Sequence, residues 1–303
     1  MKKNILNPYI ELYYGYLEGI TAINGQKFHS RINKIISLEV TQKDSLNFIF
    51  EIEMFRRSQV TNYMSQAEKD FWNHLAYITD HVIIQTDFYG KPKALLNFDE
   101  IYHKKNKIID ELKYSYKGED VLNVLKSFEE NTTNSNCFFK QLLTDDLYGL
   151  FFKDIYGQMH KRSIKKKIPY ILRNRGLDIE ESTTPEEVVD ENSNLINLTY
   201  SIEGVLITDE LEDIEIWKAE AGLLDLRYSQ GDKPVLNRYN GLITLNDNNS
   251  IQEVDLSLSF SFGDSYKKEN NYSLTAITEE EIDEDLFEEE TDESLLEEEA
   301  DED

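Results

Sequence analysis

Four kinds of residue in this sequence could do chemistry: five histidines, one cysteine, paired carboxylates and one run of cations. The histidines are His29, His74, His81, His103 and His160. Zinc ligands come at short helical or hairpin spacings, such as two histidines four apart on one helix face. His74 and His81 are seven apart, and no acid or thiol stands at a matching offset. The spacing argues against a metal site, and no cofactor is expected. Cys137 precedes two phenylalanines at an expected helix start, where the helix end could depress a thiol pKa. A lone cysteine among aromatics is more simply buried, and no base is patterned with it.

Pairs such as Asp145-Asp146 and Asp209-Glu210 could serve as the acid and base of a glycosidase. In a chain with 59 acidic residues such pairs single out nothing. The sequence has no G-x-S-x-G elbow, no P-loop and no G-x-G-x-x-G. It therefore gives no positive sign of an enzyme.

The cations are more informative. From Gln158 to Gly176 there is no acidic residue, and the window holds Lys161, Arg162, Lys165, Lys166, Lys167, Arg173 and Arg175. It could receive a phosphate-bearing ligand, or the chain's own acidic tail. It could equally be an edge strand that lysines protect from mispairing. The tail is its opposite. Glu279 to Asp303 contains 17 of the 59 acidic residues and no Lys or Arg, leaving 42 acidic against 32 basic residues in the rest. Like-charge repulsion and little apolar surface predict that this segment is disordered by itself. Ile282, Leu286, Phe287, Leu295 and Leu296 interrupt the acids. Acidic–hydrophobic alternation of this kind suits a segment that folds onto a partner, with charge steering the encounter and apolar groups docking.

The elements that must carry these residues are mostly strands. Tyr9–Ile23, Ile32–Val40 and Leu46–Phe55 alternate apolar and polar residues. Ser65 is placed to cap a helix over 66–77 with Glu68 in its first turn. His81–Phe88 and Lys93–Leu96 flank a Gly-Lys-Pro turn. Residues 98–152 then show helical spacing, through Ile101, Ile108, Ile109 and Leu112 and again through Val121, Leu122, Leu125 and Phe128. Ile164–Leu172 looks extended, and 178–194 reads as an acidic loop with Pro185. A meander of Leu195–Ile207, Ile214–Tyr228, Leu236–Leu245 and Ile251–Phe262 follows. The last of these alternates Val254, Leu256, Leu258, Phe260 and Phe262 with polar residues, as a strand with one wet face does.

The expected fold is therefore α+β: a large, curved, mostly antiparallel sheet, open like a half-barrel. Residues 1–278 form a single body, β-rich over 1–97 and 153–278, with the helical insert between; 279–303 is the disordered tail. In element order alone this is similar to the open half-barrels of lipoprotein-carrier proteins. Lys2 and Lys3 are not followed by the apolar run of a signal peptide, and one cysteine forms no internal disulfide, so a cytoplasmic protein is expected. A net charge of −27 disfavours nucleic acid and anionic membrane as partners. The functional expectation is a non-enzymatic adaptor, chaperone or immunity-like inhibitor whose tail meets a protein with a basic groove. The alternatives are an anion binder regulated by its tail, and a hydrolase with an unrecognised site.

Overall fold

The computed structural model describes residues 6–144, 147–153, 155–157, 160–172, 175–189, 195–207, 214–229 and 231–282. Eleven strands among them form one open sheet. In chain order they are β1 (Tyr9–Ile23), β2 (Gln26–Gln42), β3 (Asn47–Thr61), β4 (His81–Asp87), β5 (Pro92–Leu95), β6 (Arg162–Leu172), β7 (Arg175–Val189), β8 (Leu195–Leu206), β9 (Pro234–Leu245), β10 (Ile251–Phe262) and β11 (Tyr266–Ile277). Their spatial order is β5-β4-β3-β2-β1-β11-β10-β9-β8-β7-β6. Every neighbouring pair is antiparallel. The first and last strands thus meet in the middle, with Leu12 opposite Ile277. The edges are β5 and β6, the two strands that the helical segment links in sequence.

One face of the sheet is apolar because alternate residues along each strand point to it. Phe48, Phe50 and Ile52 of β3 and Val254, Leu256, Leu258, Phe260 and Phe262 of β10 are all buried. Helices from the β3–β4 connection and from the segment between β5 and β6 cover this inner face. Helix α1 (Gln66–Ala76) starts at a capping box in which Ser65 and Glu68 satisfy each other's backbone N–H groups. Helix α2 (Phe98–Ser115) buries Ile101, Ile108, Ile109 and Leu112. Its first residue is preceded by Asn97, whose side chain accepts from Ile83 N at 2.9 Å and donates to His81 O at 3.1 Å. That amide ties α2 to β4 instead of capping the helix. Helices α3 (Glu119–Asn131) and α4 (Ser135–Thr144) follow, and α4 touches both edge strands, β5 and β6.

Four expectations are corrected. Of the loop expected over 178–194, residues 178–189 instead belong to β7, held between β6 and β8, and 190–194 lie outside the described residues. The acidic composition concealed an inward series of Leu177 and Ile179, both buried. Residues 214–222 are not a strand but helix α5 (Ile214–Gly222), because a helix can bury Trp217 and Ala221 together, four apart on one face. The ring of Trp217 stacks at 6.4 Å on Phe262. Strand β11 was not anticipated: its polar run Lys267–Asn271 hides the inward set Tyr266, Tyr272 and Leu274. Finally, Cys137 is exposed on α4 and not buried.

Candidate functional site

After α4 the chain makes a 3-10 turn at Tyr148–Leu150 and runs along the inner face. Four aromatic side chains fix it there. Tyr148 hydroxyl donates to Thr79 O. Phe151 meets Tyr13 edge-on at 5.3 Å, Phe152 lies 5.2 Å from Phe50, and Tyr156 is 2% exposed. This segment carries Lys153 into the core, where its side chain is 3% exposed.

Facing it, three strands supply one polar side chain each. Glu181 shares the inward parity of Leu177 and Ile179 on β7 and is 2% exposed. Lys166 on β6 lies opposite Ile179, so it too points inward. Tyr239 on β9 reaches over Gly204 of β8. A Cβ on that glycine would stand 2.5 Å from the tyrosine ring, so the missing side chain makes the ring's seat.

Three of these groups converge on one carboxylate oxygen of the fourth, Glu181. Lys153 Nζ lies 2.9 Å and Lys166 Nζ 3.6 Å from Glu181 Oε2, and Tyr239 hydroxyl donates to the same atom. Both ammonium groups are also 3.5 Å from the Tyr239 hydroxyl oxygen. Burial pushes the Lys153 amine down, reinforced by the neighbouring Lys166 charge and only partly offset by Glu181, to about 8. Burial pushes the Glu181 carboxyl up, but Lys153, Lys166 and the Tyr239 hydrogen bond outweigh it and hold it at about 2. A cavity beside the cluster, bordered by Thr144, Leu258 and Tyr272, leaves about 20 Å3 for water centres, which is room for one water.

A lysine depressed towards neutrality can act as a base or nucleophile where a substrate reaches it. Here the amine contacts a carboxylate and a phenol directly, and the adjoining space holds one water. The arrangement works as a clamp that ties the end of the helical segment to β6, β7 and β9. Removing one partner of such a pair leaves an uncompensated buried charge, which costs more than the intact pair contributes.

The cation window is split by the strand's alternation. Lys166 goes inward to Glu181, while Lys165 and Lys167 stand opposite Glu180 and Asp178 of β7. Lys161 and Arg162 are exposed. Arg175 Nε lies 3.4 Å from Glu220, and Arg173 lies outside the described residues. Strand β6 is an edge of the sheet. In the tail segment Ile282 is exposed, and Leu286, Phe287, Leu295 and Leu296 lie outside the described residues.

His81 sits 2.9 Å from Glu51 and 3.4 Å from Glu100. Burial lowers its pKa, but the hydrogen bonds to both glutamates prevail and raise it. Among the described residues no group of three or more His, Cys, Asp or Glu side chains converges as metal ligands would, and no helix is long and apolar enough to cross a membrane.

Sequence reasoning missed Lys153, Glu181 and Tyr239. One signal was present: Glu181 is an acid on the apolar parity of its strand, and an inward acid calls for a buried cation.

No protein-family model matches the chain, and no curated protein matches it. Among solved structures, the chain is similar to one of lipovitellin described by its lipid–protein interactions, with a TM-score of 0.43 and 6% identity over 91% of this chain. The match takes in 25% of the lipovitellin chain, so this protein spans about a quarter of that length. An outer membrane channel from Pseudomonas putida F1 aligns with a TM-score of 0.20 and 6% identity, covering 91% of this chain and 99% of the channel.

Proposed function

We propose that this chain is a non-enzymatic protein-binding module of the adaptor, chaperone or immunity-like inhibitor kind, whose acidic–hydrophobic tail docks in a basic groove of a partner protein. In this reading the sheet is a curved half-barrel that holds its helices on the concave side, and the protein works in the cytoplasm.

The observation that supports it is the tail's point of departure. Strand β11 ends opposite β1, in the middle of the sheet. Thr278 N and Oγ1 then donate to Glu281 Oε2 at 2.6 and 2.9 Å, closing a capping box. Ile282 follows, 37% exposed. The 21 residues of 283–303 therefore start from a fixed turn on a central strand, not from a frayed edge. Their charges would steer a basic partner, and Leu286, Phe287, Leu295 and Leu296 would supply the apolar anchors.

The alternative, in which the cation window receives the tail or another anion, has weaker support. Glu180 and Asp178 stand across from Lys165 and Lys167, and Lys166 turns to Glu181. The test is affinity capture from the native host with the full chain and with a chain ending at Ile282. The proposal expects basic partners retained only by the full chain and lost as salt is raised. Identical partner sets for the two baits would overturn it.

A further inference from the structure

We propose that a cleft at the far end of the sheet is a carbohydrate-binding site, taking a neutral saccharide on the face of Tyr228. Three connections meet there: the β1–β2 turn at Asn24-Gly25, the β10–β11 turn at Gly263–Ser265, and the segment leading from α5 to β9. They border an open depression of about 420 Å3 lined by Asn24, Arg227, Tyr228, Ser229, Asp232 and Asp264, among others. That volume falls within the range of small-molecule sites.

The cleft is built before any ligand arrives. Asn24, in the left-handed region at φ 52, donates from its side chain to Asp225 O at 3.1 Å and accepts from Arg227 N at 3.4 Å. Its backbone N–H donates to Ser265 O at 2.7 Å, and Ser265 hydroxyl donates to Arg227 O. The three connections are thus tied to one another largely through backbone groups. Asp232 is held by Ser229 N at 2.7 Å and Ser229 Oγ at 2.8 Å. It fits against Gly263 because a Cβ there, at φ 58, would stand 2.6 Å from its carboxylate. The Tyr228 ring meets Phe262 edge-on at 6.1 Å, and Phe262 is stacked on buried Trp217, so the ring is braced while 42% exposed.

Three side chains of this cleft stay uncommitted. Among the described residues the Arg227 guanidinium, the Asp264 carboxylate and the Tyr228 hydroxyl have no hydrogen bond or ion pair. Together they offer donors, acceptors and an aromatic face in one braced cleft. A sugar ring answers all three. Its hydroxyls donate to carboxylates and accept from a guanidinium, and its apolar C–H face lies on an aromatic ring. Charge disfavours an anionic ligand: two aspartates and one arginine line the cleft, and the protein's net charge is −27. The aromatic face favours a sugar ring over a small cation, which the test includes as a competitor.

Saturation-transfer difference NMR on the full chain tests this with methyl glycosides of glucose, galactose, mannose and N-acetylglucosamine, and with glycine ethyl ester as a small cation. The expected result is transfer to at least one glycoside. Affinity should fall about tenfold or more in Tyr228→Ala and in Asp264→Ala, as loss of a charge-assisted hydrogen bond or its aromatic platform implies. It should be unchanged in Tyr114→Ala, which removes a tyrosine that is 83% exposed on α2. An unchanged urea unfolding midpoint, followed by the fluorescence of the two tryptophans, buried Trp217 and exposed Trp72, would verify that each variant is folded. No transfer to any glycoside, an affinity undiminished in folded Tyr228→Ala, or transfer to the cation alone would each overturn the proposal.

Discussion

Two polar clusters of this molecule differ in where their hydrogen-bonding capacity goes. At Lys153, Lys166, Glu181 and Tyr239 the groups face one another, and the two central charges are almost wholly buried. At Arg227, Tyr228, Asp232 and Asp264 the loops are tied through backbone groups, and three side chains face the cleft uncommitted. The first cluster has the more perturbed ionisation and the smaller space. The second has the larger space. A shifted pKa marks burial and partners, and it marks a ligand site only when access comes with it.

The comparison predicts that substitutions in the first cluster lower stability and those in the second lower binding. Glu181→Ala has the largest expected effect, because it strands Lys153 in the core. A loss of about 3–5 kcal/mol is expected in urea unfolding, and a loss under about 1 kcal/mol would show that water reaches the amine. Tyr239→Phe removes one donor to the buried carboxylate and should cost about 1–3 kcal/mol by the same measurement.

Acid should sharpen the contrast. Glu181 is held at about 2 when folded against an ordinary 4.5. As pH falls below 4.5 the unfolded chain takes up this proton first, so the stability that Glu181 contributes is full above 4.5 and disappears towards 2. The difference in urea midpoint between the native protein and Glu181→Gln should therefore shrink steadily from pH 5 to pH 3. A constant difference would mean that the carboxylate is not paired as described. The smallest effect is expected at the cleft: Asp264→Ala should change stability by no more than about 0.5 kcal/mol, while abolishing most glycoside binding.

The strands whose two faces differ in polarity were legible. In β10 every second residue is apolar from Val254 to Phe262, and in β3 from Phe48 to Met54, and both alternations are real. The Ser65–Glu68 capping box was equally readable, since it depends on residues three apart. Elements that answer to distant partners were not. The acids of β7 make sense only beside the lysines of β6. The Ile-Glu-Ile-Trp start of α5 mimics a strand, and the need to stack Trp217 on Phe262 decides otherwise. The clamp was illegible for the same reason. Lys153 and Glu181 are 28 residues apart, and Lys153 and Tyr239 86 apart, so no local spacing connects them.

The pairing of β1 with β11 has a consequence for synthesis. Leu12 finds Ile277 only after 265 further residues have been made. At about 5–20 residues per second that interval is roughly 15–50 s. Throughout it β1 presents an unpaired edge together with Ile10, Leu12, Tyr14 and Tyr16 on its outer face, a ready template for pairing with another nascent chain. The soluble yield should therefore respond to translation speed and chaperone supply.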